Sequence, residues 1–242
     1  MDSYDDCKKQ IYSLIYQSLN KENAIFEHLN DLFKIYYERP VNNMIDLKKR
    51  NAKNKGFLFE VFCVLYLQKK GYECWLLKDV PESILKECNL TKQDLGIDLI
   101  ATVKKQIKNE EKTLYFAVQC KYRSPSKNSL KQTVHRVLWK DISTFLSLAS
   151  RTGPKEGWTK QIIMTNAETV LWKGKKSSKD YTIGKKSFMN CNKIFWTKFI
   201  NENNNIIDDN EISIIDDEEE IKQKIQKDKD TKQKRLEWLN KL

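Results

Sequence analysis

Residues 57–67 read FLFEVFCVLYL, and Glu60 is the only polar side chain among them. The run predicts a helix buried around most of its circumference and ended by Gly71, and such a helix has to lie inside the molecule, packed on a sheet. Ahead of it, Ile11, Leu14, Ile15 and Leu19, then Ile25, Phe26, Leu29, Leu32, Phe33 and Tyr36, recur at spacings of three and four. That periodicity predicts two helices ending before Pro40. Residues 48–55 read as a basic connector. Behind the apolar run, residues 72–77, 97–103 and 114–122 are short β-like stretches, with the polar KKQIKNEEK as a hairpin-type connection between the last two. Residues 132–150 have helical spacing, 160–165 read as a fourth strand, 167–172 as a short helix and 195–200 as an edge strand. Helix, three strands, helix, strand, helix is the order of a compact α/β sandwich. In this reading residues 1–50 are a helical extension, 51–203 the main domain, and 204–242 an acidic and then basic tail whose end, 218–242, is a charged helix.

A chain of 242 residues that is 40% hydrophobic can build one core of ordinary size with appended helices. Its net charge of +11 is uneven. Residues 208–220 hold eight acids and no base, and 221–242 hold eight bases and three acids, so the first 207 residues carry +14. That part should attract polyanions. The six cysteines form no CxxC pair and there are two histidines, His28 and His135. A zinc site or a disulfide framework is not expected, and reduced, buried thiols fit a reducing compartment. The N-terminus MDSYDDCKKQ has no apolar signal-peptide core and no stretch approaches eighteen uninterrupted apolar residues, so the expectation is a soluble cytoplasmic protein without a membrane partner.

Strand geometry singles out a cluster of polar groups. Period two turns Gln119 and Lys121 to one face and Val118, Cys120 and Tyr122 to the other. In DLGIDLIATV, Asp98 is the only charge among the seven residues after Gly96. A carboxylate buried there has to meet a cation or a set of donors. Sequential strands are usually neighbours, which would bring Asp98, Gln119 and Lys121 together, and Glu60 adds an isolated carboxylate from the apolar helix. Two carboxylates, an amide oxygen and a lysine suit a hard cation such as magnesium, which takes oxygen ligands and keeps several waters. Such an ion lowers the pKa of bound water and neutralises phosphate charge, and Lys121 beside it would orient the water and stabilise the transition state. These parts suit phosphodiester hydrolysis.

GFLFEVF, DLGIDLI and VQCKYR resemble the three sequence blocks of the PD-(D/E)xK nuclease superfamily, specifically its Mrr-like branch related to type IV restriction endonucleases. The resemblance covers about half the chain, residues 53–172, and continues into TKQIIMTNAE. It implies a restriction-endonuclease-like three-layer sandwich around a mixed sheet of four to five strands. It further implies that Asp98 binds the metal, that Lys121 is the catalytic lysine and that Glu60 is the helix glutamate completing the site. Gln119 stands where much of the superfamily has a second acid, glutamine being usual in this branch, and Asp94 corresponds to a weaker contributor. The cofactor implied is Mg2+, with Mn2+ as its substitute. Similar domains occur fused to or beside helicases, so a helicase partner is in view, and two cuts on a duplex make a homodimer reasonable.

The expected function is a magnesium-dependent DNA endonuclease, with Arg123, Lys127, Lys131 and Arg136 on the nucleic acid backbone. A second basic stretch, residues 173–186, has no assigned role. His135 is expected at the surface or on a phosphate, and Trp139, Trp158, Trp172 and Trp196 in the core or an interface. Two alternatives stay open: a nuclease fold that has become a DNA-binding subunit of a larger assembly, and a structure-selective enzyme resembling a junction resolvase. The sequence holds no reader of a 2′-hydroxyl, so RNA as substrate is also open.

Overall fold

A computed structural model describes residues 3–21, 24–37, 44–93, 96–107, 109–127, 130–173 and 177–201. Contacts gather Met1–Asn205 into one compact unit; the expected helix at 218–242, and Asp94, lie outside the described residues. The helices are α1 (Tyr4–Ser18), α2 (Ile25–Tyr37), α3 (Met44–Lys69), α4 (Glu82–Glu87), α5 (Trp139–Ala149), α6 (Lys185–Met189) and α7 (Lys193–Ile200). The strands are β1 (Glu73–Leu76), β2 (Leu99–Ile107), β3 (Glu110–Lys121), β4 (Ser126–Lys127), β5 (Thr133–Val134), β6 (Arg136–Val137), β7 (Lys160–Thr165), β8 (Thr169–Val170) and β9 (Asp180–Ile183).

The central sheet has five strands in the order β1-β2-β3-β7-β9 and is mixed. β1 and β3 run antiparallel to β2, whereas β7 pairs parallel with β3 and β9 parallel with β7. A parallel pair needs a crossover, and α5 lies in the β3–β7 connection, packing Ile142, Phe145 and Ala149 with Ala117, Ile100 and Ile163. Since Ala117 faces α5, the even-numbered residues of β3 face the other way. There Tyr122 meets Phe59 of α3 edge-on, with ring centroids 5.6 Å apart. Three layers result, with the sheet in the middle.

The apolar run is the innermost helix. Every residue from 57 to 67 except Glu60 is buried, and Phe62 stands among Phe26, Phe33, Phe188, Trp196 and Phe199 at centroid distances of 5.5 to 6.3 Å. α3 ends where Gly71 adopts φ +84°, which lets Tyr72 N–H reach the Leu67 carbonyl at 3.1 Å. It starts earlier than expected, because the residues read as a basic connector continue the helix; Lys, Arg and Ala are good helix formers and no proline interrupts them.

Four other readings change. KKQIKNEEK is mostly ladder: β2 and β3 pair out to Ile107↔Glu110, turning at Asn109 with φ +68°. Residues 133–137 form the short strands β5 and β6, and the helix starts only at Trp139, where Asp141 Oδ2 accepts the Leu138 N–H at 3.0 Å. Residues 169–170 are a strand paired with β6, where a helix was expected. Residues 195–200 belong to α7, where an edge strand was expected: Phe195, Trp196 and Phe199 are buried together, a helical stripe, and Asn192 caps the helix through Phe195 N–H at 2.9 Å. The edge is β9 instead. All six cysteines are free, with only Cys191 part-exposed. Among the described residues no helix is long and apolar enough to cross a membrane.

Candidate active site

Asp98 is held from both sides by the backbones of its neighbours. Its carbonyl accepts Leu77 N–H and its own N–H donates to Val118 O, both at 2.9 Å, which fixes where its side chain leaves the sheet. The carboxylate then accepts the Cys120 N–H at 2.6 Å. Gly96, two residues earlier, has φ +98°, and a Cβ there would come within 3.4 Å of the Phe145 backbone. A glycine is needed for the loop to lie this close to α5.

Gln119 continues the arrangement. It is only 3% exposed, and its Nε2 donates to the Gly96 carbonyl at 2.9 Å. Because a carbonyl can only accept, that bond fixes the amide: the nitrogen faces Gly96 and Oε1 faces the other way. Oε1 is buried and has no hydrogen-bond partner among the described residues. An acceptor left in that condition costs about 1–3 kcal/mol. Lys121, two residues on and on the same strand face, is pinned through its main chain: its carbonyl accepts the Thr165 hydroxyl at 2.6 Å, and the two residues are register partners between β3 and β7.

Glu60 reaches this neighbourhood from α3. The thiols of Cys63, one turn further along α3, and Cys120, on β3, hydrogen-bond to each other, and the charges of Glu60 and Asp98 both act on both. Burial is the main reason why the two thiols are pushed upward, with the carboxylates adding to it. The cysteines therefore stay protonated and are not nucleophiles. Glu60 and Cys120 thus meet on the α3 side of β3, whereas Gln119 and Lys121, odd-numbered like Ala117, are on the α5 side. Among the described residues no three His, Cys, Asp or Glu side chains group to hold a metal ion. The oxygen donors are two carboxylates and one orphaned amide oxygen, a set compatible with a hard cation that keeps part of its water shell.

The basic residues separate. Lys127, Lys131 and Arg136 are exposed, the first two on the hairpin of β4 and β5 and its turn and the third in β6, where a helix was expected. Arg123 sits differently: its guanidinium pairs with Asp141 at 3.2 Å and bonds the Tyr122 carbonyl at 3.2 Å. His135 is no surface residue. It is 8% exposed and its Nε2 bonds the Arg123 carbonyl at 2.8 Å, so that nitrogen carries the hydrogen. Trp158 and Trp196 are buried in the core. Sequence reasoning passed over two residues that build the site. Gly96 supplies the carbonyl that orients Gln119. Asn166, 1% exposed, bonds both the N–H and the carbonyl of Arg123, at 2.7 and 2.9 Å, and the Asn30 side chain at 2.9 Å. A lone amide directly after the apolar strand IIMT was the available signal.

A family model described as a restriction endonuclease matches residues 66–206. The match contains Asp98, Gln119 and Lys121 and begins after Glu60. No curated protein and no solved structure matches the chain.

Proposed function

Since the chain belongs to the restriction endonuclease family, we propose that it is a metal-dependent endodeoxyribonuclease whose active site is Asp98, Gln119, Lys121 and Glu60. One observation carries this reading: the Gln119 carbonyl oxygen, buried and unpartnered beside Asp98, on an amide whose orientation Gly96 dictates. Most buried side-chain polar atoms have a partner. A glutamine that lends its oxygen to a cation would be held by its nitrogen alone.

Asp98, Glu60 and Gln119 Oε1 would hold Mg2+, or Mn2+ in its place. The ion supplies a more acidic bound water and neutralises charge on the attacked phosphate. Asp98 stays fixed through the Cys120 N–H, so its outer oxygen keeps one direction. Gln119 is uncharged and adds a dipole where a second acid would add charge, which leaves cation affinity dependent on phosphate arriving with the substrate. Lys121 extends from the strand end beside these groups, orients the water and stabilises the extra negative charge of the transition state. Lys127, Lys131 and Arg136 contact the DNA backbone without reading sequence.

Supercoiled plasmid, with magnesium and with chelator, is the test. Native protein should cut only with the metal, and Lys121→Ala should bind DNA with unchanged salt dependence while cutting at least about a hundredfold more slowly. Metal-stimulated cutting that survives Lys121→Ala and Asp98→Ala would refute the assignment. A second reading, a nuclease fold acting as a DNA-binding subunit, draws on the two-carboxylate donor set among the described residues. It requires DNA binding indifferent to chelator and no cutting by the native protein under any divalent metal.

A further inference from the structure

Beyond the carboxyl ends of β3 and β7 lies a pocket of about 300 Å3 that the hydrolytic chemistry does not use. Asn30 and Asp31 of α2 form one wall, Pro125 and Thr133 at the root of the β4–β5 hairpin another, and His135 and Glu168 complete it. It is built onto the catalytic strand. His135 Nε2 and Asn166 Nδ2 both bond the Arg123 carbonyl, and Asn30 takes bonds from Asn166 and from the Tyr122 hydroxyl. Arg123 is two residues past Lys121, roughly 7 Å along an extended chain. Pro125, in the pocket's lining, is four residues past Lys121, at most roughly 13 Å along an extended chain, so the pocket opens within about two nucleotides of the phosphate that Lys121 would serve.

We propose that this pocket receives a single unstacked nucleobase from the DNA strand being cut, one bearing an exocyclic amine. The inference rests on the nuclease reading above and adds the part of the substrate that the protein takes hold of. Charge separates a base from a phosphate as occupant. Glu27, Asp31 and Glu168 face Lys34 and Lys185, with Lys34 on Asp31 at 2.6 Å and Lys185 bridging Glu27 at 3.1 Å and Glu168 at 3.8 Å. Three carboxylates against two ammonium groups leave an acceptor-rich lining that repels phosphate and accepts from an amine. Pro125, which is exposed, lines the pocket with a flat ring, and the buried His135 lies beside it. The size is at the low end for ligand pockets, far too small for duplex. The same hairpin carries at its turn Leu130, 74% exposed, next to Lys131 and near Lys127. An apolar side chain flanked by cations is what enters a base step and fills the space that an extruded base leaves.

The test uses the full chain in chelator, titrated onto duplexes carrying 2-aminopurine opposite thymine or mismatched opposite cytosine. A mismatch removes part of the few kcal/mol needed to extrude a base, so the mismatched duplex should bind roughly tenfold more tightly, tenfold being about 1.4 kcal/mol, with a severalfold rise in 2-aminopurine fluorescence. Thr133→Trp, which fills the pocket from an exposed position, should abolish both signals and keep binding to matched duplex. Glu168→Ala, another exposed site, should weaken the preference severalfold. Equal binding of the two duplexes without a fluorescence rise, or signals that persist in Thr133→Trp, would overturn the proposal. Plasmid cleavage on the same preparations separates the two ideas. Cutting without these signals removes the pocket alone, these signals without cutting remove the nuclease reading alone, and absence of DNA binding removes both.

Discussion

At the scale of single residues, the centre of the molecule is an amide held by one end. Gln119→Leu deletes a buried acceptor that costs stability and also takes the donor away from the Gly96 carbonyl, and the two effects oppose each other. Its unfolding free energy should therefore lie within about 1 kcal/mol of native in urea titrations, while cleavage is lost. A drop of several kcal/mol would mark Gln119 as a structural residue. The shared face of Gln119 and Lys121 was legible from period two, and the need of Asp98 for a donor from its isolation in an apolar strand. What was not legible was orientation. Nothing in QCK says that the nitrogen of Gln119 turns toward a glycine carbonyl, since that depends on a φ of +98° in a loop lying against α5. His135 was misjudged for a similar reason: its partner is a backbone carbonyl twelve residues away, invisible to any pattern of side chains.

At the scale of elements, α5 ties the end of β3 to the crossover. Asp141 near its first turn accepts the Leu138 N–H and pairs with Arg123, two residues past Lys121. Burial alone would raise this carboxyl; the Leu138 hydrogen bond and the Arg123 guanidinium outweigh it and leave Asp141 below the usual carboxylate range. A depressed folded value gives stability that is complete above the unfolded pKa of about 3.9 and is lost as pH falls through the folded value. Asp141→Asn should thus be less stable by about 1 kcal/mol at neutral pH, and the gap to native should close on acidification below about pH 4. A gap that stays constant into acid would show that charge is not its source. The elements read correctly from the sequence were those with dense apolar patterning: α1, α2, the core of α3, and β1, β2, β3 and β7. Those misread were decided by partners. FWTKFI has the aromatic content of a strand, yet α1, α3 and the aromatic cluster around Phe62 offer it a helical seat. DYTI in β9 alternates polar and apolar over only four residues inside a basic stretch, and it is a strand because β7 presents an open edge.

At the scale of the whole described unit, one aromatic cluster draws together α2, α3, α6 and α7. Phe62→Ala should remove about 3–5 kcal/mol, lowering the melting temperature by roughly 6–20 °C, and calorimetry should show one shifted transition. Two separated transitions would mean that the N-terminal helices melt on their own. The same cluster bears on how the protein is made. Its members are far apart in sequence: Phe26 packs on Phe188 and Trp196, and Tyr66 meets Phe188 and Phe195. At about 5–20 residues per second, a ribosome that has released α2 needs roughly ten to thirty seconds more to deliver α7. Throughout that interval the oily sides of Phe26, Phe33 and Phe62 stay without their cover, so the nascent chain is a natural client for a holding chaperone until its last aromatic helix emerges.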